Sequence, residues 1–460
     1  MSPESEVYEF DLVAIGSGPA GQRAAVQAAK LGKRVAVIEK NRCVGGVCVE
    51  TGTIPSKMFR EAVWAVSSVP AVGARPTAEQ LLGRVSDVVR REIDVLDSQL
   101  RRNDIAVIRG EAGFQDAHTL LIRSEAGSRT VRAATIVVAV GTRAVTPPGA
   151  VLDGEVAITS DDIVRLKRLP RAMTVVGGGV VGMEYASIFA ALGIEVTVVE
   201  RRDRVLDFVD REIVDELIHQ MRKRNVTFRF GETVERFEVS EGPPRRGVLF
   251  LESGKRIVSD LVLLSAGRTG ATDRLNLAAA GLAADEKGRL VVDADFRTSV
   301  PHVYAAGDVI GYPNLAATSS EQGRLAACHA FGVSAGPMAS HFPVGIYAIP
   351  EISMVGATEQ ELTAAKVPYE IGIARYREIA RGQILGDDSG LFKMLFHRDD
   401  RRLLGAHVIG TQATELIHIG QAVLGLGGGL DYFMRTVFNY PTLAECYKVA
   451  ALDAANKLAT

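Results

Sequence analysis

"DLVAIGSGPAGQRAAVQAAKLGKRVAVIEK", residues 11–40, opens on an apolar strand and turns at Gly16, Gly18 and Gly21. It continues as an Ala-rich helix and closes on a second strand ending at Glu39. That order is a dinucleotide fingerprint. The first glycine permits the tight turn, the second lets backbone approach a pyrophosphate, and the third lets helix and strand pack closely. The helix N-terminus offers unpaired N–H groups and its positive dipole end to the phosphates, and the terminal acid accepts hydrogen bonds from a ribose.

The pattern recurs. "MTVVGGGVVGMEYASIFAALGIEVTVVER", residues 173–201, places Gly177, Gly179 and Gly182 before a helix and Glu200 at the end of the next strand. In each copy the acid lies 18 residues beyond the last glycine, Gly21 to Glu39 and Gly182 to Glu200. A lone glycine triplet is often only a turn, but two copies with strand, helix, strand and acid at equal spacing predict two bound dinucleotides. The expected fold is α/β: two Rossmann-like dinucleotide-binding domains, the second inserted in the first, plus a C-terminal α+β domain.

The rest of the chain fits around these units. Residues 78–100 carry Leu81, Leu82, Val85, Val88, Val89, Ile93, Leu96 and Leu100 at three- and four-residue intervals, which predicts an amphipathic packing helix. "ATIVVAVGTRAVTPP", residues 134–148, reads as a buried strand running into a proline-marked turn, and "LVLLSAGRTG", residues 261–270, repeats that pattern in miniature. "VYAAGDVIG" ends a strand at Gly307-Asp308, and beyond residue 342 strand-like and helical stretches alternate without further fingerprints. The expected domains are residues 1–155 with 272–341, residues 156–271, and residues 342–460.

Composition removes several function classes. With 460 residues, 47% apolar, and a mean hydropathy of +0.12, the chain can build about three cored domains. A formal charge of -2, from 53 basic and 55 acidic residues, gives no electrostatic footprint for nucleic acid or an anionic membrane. The N-terminus, "MSPESEVYEFDLVAIG", lacks a basic region followed by an apolar core, so a cytoplasmic protein is expected. Four cysteines, Cys43, Cys48, Cys328 and Cys446, are too few for a secreted disulfide framework, and no spacing suggests a metal site.

Nearly the whole chain resembles the two-dinucleotide-binding flavoproteins that include lipoamide dehydrogenase, glutathione reductase and mercuric reductase. The resemblance implies that the first unit binds FAD, the second a nicotinamide cofactor, and that the C-terminal domain forms a homodimer or a larger homo-oligomer. Carried onto this sequence, it assigns Gly16, Gly18, Gly21, Glu39, Gly141 and Asp308 to FAD, and Gly177, Gly179, Gly182, Glu200 and Gly267 to NAD(P). Lys57 of "PSK" is expected against the flavin's reactive nitrogen, with Glu184 of "GMEYA" as its partner across the nicotinamide pocket.

Two departures bear on the chemistry. The thiol enzymes carry two cysteines five positions apart before Pro-Ser-Lys, whereas "GGVCVETGTIPSK", residues 45–57, keeps Cys48 and has Thr53 in second place. Cys43, five residues before Cys48, offers a rival pairing but precedes the Gly45-Gly46 turn. The family's His-Pro motif reads "NYPTLAE" here, with Tyr440 in place of histidine. Tyrosine, with an ordinary pKa near ~10, is a poor proton shuttle at neutral pH. Hydride exchange between nicotinamides through a flavin requires neither part. "GTIPSK", "GDVIGYPNLA", "GIYAIPEIS", "HIGQA" and "FNYPT" are together similar to the soluble transhydrogenase branch of this family. That resemblance implies ping-pong transfer between NADPH and NAD+. A disulfide reductase, a diaphorase and a non-catalytic flavin-binding protein are the alternatives.

Glu200 suits the 2'-hydroxyl of NAD(H) and should repel the 2'-phosphate of NADP(H). "ERRDR" follows directly, so Arg201, Arg202 and Arg204 are expected to pair with that phosphate, or else to form a solvated loop.

Overall fold

The computed structural model describes residues 8–67, 76–147 and 151–459. The N-terminal stretch "MSPESEV" and the second proline of the 147–148 turn lie outside the described residues.

The two fingerprints build two sheets on one plan. In the first, parallel strands run in the order Ala106–Arg109, Val35–Glu39, Phe10–Ile15, Gly127–Val138, Val303–Ala305. In the second the order is Thr227–Phe230, Glu195–Glu200, Ala172–Val176, Leu261–Leu264, Ala157–Ile158, again parallel throughout. The first sheet draws its last strand from beyond the second sheet, so the second unit is inserted in the first. Each parallel sheet is accompanied by antiparallel strands that the glycine pattern does not announce: Glu111–Phe114 and Thr119–Ser124 extend Gly127–Val138, and Val234–Val239, Gly247–Leu251 and Arg256–Ser259 form a separate meander.

The strands at the centre of each sheet carry apolar runs that are buried on both sides, helices packing on one face and the antiparallel strands on the other. Leu12, Val13, Ala14, Val137 and Val138 are fully buried in one sheet, as are Val175, Val196, Val198, Val262 and Leu263 in the other. The miniature repeat has a structural purpose. Thr142–Ala144 and Arg268–Gly270, which follow the matching strands, pair antiparallel and join the two units.

The third unit is a five-stranded antiparallel sheet, ordered Val344–Ile346, Ile352–Gly356, Leu403–Ile409, Leu391–His397, Tyr369–Arg375, with helices Ala413–Gly425 and Glu445–Leu458 packed on it. One apolar cluster crosses all three units. It joins Phe59 and Val63 of helix Thr53–Ser67, Met183 and Phe189 of helix Val180–Ala191, and Ile346, Ile349 and Ile352 of the C-terminal sheet. That shared core fixes the helices that carry Lys57 and Glu184. The predicted amphipathic helix spans Ala78–Arg102; its ends bury Leu81, Val85 and Leu100, while Val88, Val89, Ile93 and Leu96 are half-buried.

Candidate functional site

The glycine loops are steric necessities. A Cβ on Gly21 would lie 1.9 Å from the Gly16 carbonyl oxygen, and one on Gly182 would lie 2.0 Å from that of Gly177. Gly16 and Gly177 also hold φ of +103° and +108°, which side chains rarely adopt. Gly18 and Gly179 face open space instead, where backbone can approach a ligand.

The two terminal acids brace their own loops. Glu39 Oε2 accepts the Ser17 N–H at 3.1 Å and the Ser17 hydroxyl, while Oε1 accepts the Asn41 N–H at 2.8 Å. Glu200 Oε2 accepts the Gly178 N–H at 2.6 Å. Arg202 then closes on Glu200, with Nε 3.1 Å from Oε1, Nη2 3.2 Å from Oε2, and its backbone N–H 3.0 Å from Oε1. Burial pushes the Glu200 carboxyl up, but the Arg202 and backbone hydrogen bonds outweigh it and hold the carboxyl below its ordinary value. A carboxylate offers about four acceptor sites. Glu39 keeps capacity for a ribose; Glu200 has four donors already.

A cavity of about 2130 Å³ runs from the first loop to the second and third units. Its lining includes Gly16, Gly18, Glu39, Cys48, Thr53, Lys57 and Gly141 of the first unit, Val180 and Glu184 of the second, and Tyr347 of the third. Gly177, Gly179, Glu200 and Gly267 are not in its lining. Asp308 faces it with Ser319 Oγ as a distant donor at 3.4 Å; burial raises its carboxyl above the ordinary value, partly offset by Arg268. An under-satisfied acid beside a glycine cradle fits a polyhydroxylated, pyrophosphate-bearing group.

Lys57 and Glu184 meet in the cavity. The ammonium lies 3.0 and 2.9 Å from the two carboxylate oxygens and 3.2 Å from Ser56 Oγ. The Tyr347 N–H donates to Glu184 Oε1 at 2.8 Å, and the Tyr347 ring lies under the ammonium, 4.9 Å from its centroid. Tyr347 belongs to "GIYAIPEIS", but nothing in its local sequence says that it touches Lys57. Arg268, also unassigned by sequence, spans the interdomain ribbon, with Nε on Thr142 Oγ1 at 2.8 Å and Nη1 3.3 Å from Asp161.

All four cysteines are free. Cys48 sits in helix Gly46–Glu50, and the hydroxyl of Thr53, the first residue of the next helix, favours its thiolate. Burial nevertheless raises the Cys48 thiol above its ordinary value. Cys43 precedes the turn, and Cys328 and Cys446 are buried packing residues. Tyr440 stands on the surface, 68% exposed.

Residues 10–323 match the family described as pyridine nucleotide-disulphide oxidoreductase, and residues 342–451 match the dimerisation domain of that family. The chain belongs to the pyridine nucleotide-disulphide oxidoreductases. Within them, a protein named soluble pyridine nucleotide transhydrogenase from Mycobacterium bovis is 52% identical over 98% of each chain. Another of that name from Photobacterium profundum is 44% identical over the full length of both. Among solved members, the HOCl-induced flavoprotein disulfide reductase RclA from Escherichia coli is 27% identical with a TM-score of 0.89, covering 96% of this chain and 99% of that one. LpdA from Mycobacterium tuberculosis is 26% identical with the same TM-score and coverage. Among the described residues, no helix is long and apolar enough to cross a membrane.

Proposed function

We propose that this protein is an FAD-dependent transhydrogenase that moves hydride between NADPH and NAD+ in a ping-pong cycle, at one nicotinamide site used in turn, without a redox-active disulfide. The observation that carries this is the combination in the cavity: the Lys57–Glu184 pair is intact, while beside Cys48 the lining offers the Thr53 hydroxyl and no second thiol. Hydroxyls do not exchange with disulfides. The names of the full-length relatives agree with this reading.

The chain's residues would divide the work as follows. Gly16, Gly18 and Gly21 with the N-terminus of helix Pro19–Lys30 hold the FAD pyrophosphate, Glu39 takes its ribose, and Gly141 and Asp308 border the rest of the cofactor. Gly177, Gly179, Gly182 and Gly267 shape the nicotinamide nucleotide site of the second unit, and Glu200, Arg201 and Arg202 form its adenosine-ribose end. When bound, the flavin accepts hydride from one nicotinamide and returns it to another. Lys57 fixes positive charge at the flavin edge, Glu184 holds that ammonium in place, and the apolar Val180 and Val181 border the ring-binding space. The assembly is a soluble cytoplasmic homodimer, built through residues 342–460 against a core of residues 1–155 with 272–341 and 156–271.

The test is an anaerobic assay of the purified holoenzyme, with NADPH and a spectrally distinct NAD+ analogue in one arm and NADH with lipoamide in the other. Rapid analogue reduction without lipoamide turnover is expected. Lipoamide turnover would overturn the proposal and restore a thiol mechanism.

A further inference from the structure

A shared nicotinamide site must accept adenosine riboses with and without a 2'-phosphate, and the second unit contains a charge relay suited to that demand. Arg202 binds acids on both sides. Its Nε and Nη2 grip Glu200, and its Nη1 lies 2.9 Å from Asp207 Oδ2. Arg201 is exposed, with no ion pair found among the described residues, and Arg204 Nε lies 3.4 Å from Asp203 Oδ1.

Asp207 is held in place by the fold. The preceding Leu206 is buried with a φ of +48°, an unusual conformation for a leucine, and its N–H donates to the Gly178 carbonyl at 3.3 Å. The turn that presents Asp207 is thus anchored to the same glycine loop that Glu200 braces. Arg202 is also tied through its backbone, since its carbonyl accepts the Gly231 N–H at 3.0 Å.

Resting on the two-nucleotide reading above, we infer that Asp207 sets the balance between NAD(H) and NADP(H) by competing for Arg202. With all four acceptor sites of Glu200 filled, a ribose diol can bind Glu200 only when Arg202 withdraws. Asp207 gives the guanidinium a counter-charge to withdraw to. A 2'-phosphate makes the opposite demand, because it needs Arg202 for itself and must take it from both carboxylates. Asp207 therefore favours the unphosphorylated ribose in both cases. It is a positioning residue, acting through Arg202 and not by touching the nucleotide.

The experiment measures binding of adenosine 2',5'-bisphosphate and of 5'-AMP to the holoenzyme by calorimetry, so hydride transfer does not enter. Asp207→Asn should tighten 2',5'-bisphosphate binding roughly three- to tenfold while leaving 5'-AMP equal or weaker. A double-mutant cycle separates relay from general electrostatics. In an Arg202→Gln background the Asp207→Asn gain should vanish; a gain that persists there, or no change in the ligand ratio in the single variant, would overturn the inference. A wrong transhydrogenase reading would show itself elsewhere, as wild-type enzyme that fails the NADPH-to-NAD+ assay while the fragment ratio still responds to Asp207.

Discussion

Lys57 Nζ sits 2.9 Å from Glu184 Oε2 although 127 residues separate the two in sequence. Glu184 is 6% exposed at the side chain and Lys57 26%, so the pair is sheltered without being sealed from the cavity. The Tyr347 N–H and ring complete the setting from the third unit. One ammonium is thereby positioned by all three parts of the chain.

Replacing Glu184 by Gln should leave FAD bound but slow its reduction by NADH roughly ten- to a hundredfold, because a neutral amide no longer anchors the ammonium. Anaerobic stopped-flow at the flavin absorbance measures this. An unchanged rate would show that the pair contributes nothing to hydride transfer.

Cys48 should behave as a half-buried, protonated thiol. Its ordinary value is 9.0 and burial raises it further, so the reactive thiolate is scarce at neutral pH. Alkylation by iodoacetamide should be slow at pH 7 and still climbing above pH 9. Cys48→Ser should retain transhydrogenation within about tenfold, a change worth no more than ~1.4 kcal/mol of transition-state stabilisation.

The glycines should separate folding from binding. Gly182→Ala forces a methyl against the Gly177 carbonyl and should destabilise the second unit by about 1–3 kcal/mol or more, visible as a lowered thermal midpoint. Gly179→Ala meets open space, so the midpoint should hold while NADH affinity falls. Equal midpoints for the two variants would contradict the loop geometry.

Lys393 provides a stability test away from the cavity. Its side chain is fully buried, 3.1 Å from Asp210 and 2.8 Å from Glu212, and it also binds Glu359. Burial pushes the ammonium's pKa down, but these acids outweigh it and hold the group above its ordinary value. Lys393→Met strands the buried Asp210 carboxylate and should cost about 3 kcal/mol. Adding Asp210→Asn should recover part of the loss, since it removes the stranded charge; urea midpoints of the single and double variants measure the coupling.

Both fingerprints were legible in the sequence, and with them the α/β class and the inserted second unit. A glycine required by a clash of 1.9 Å inside a 30-residue strand-turn-helix cannot be exchanged without penalty, so it leaves a local mark. The substitutions Thr53 and Tyr440 were equally visible, being departures at fixed offsets from Pro-Ser-Lys and Pro441. Local sterics and fixed spacing determined that much. The antiparallel meanders, the Tyr347 ring beneath Lys57, the burial of Lys393 and the commitment of Arg202 to Glu200 and Asp207 were not legible. Each depends on which side chains meet when separate units pack, or on which of several nearby acids an arginine chooses. An Arg-Arg-Asp-Arg run reads the same whether its charges face solvent, phosphate or one another. Only the tertiary structure decided that Arg202 faces carboxylates, because the turn anchored by Leu206 brings Asp207 to it.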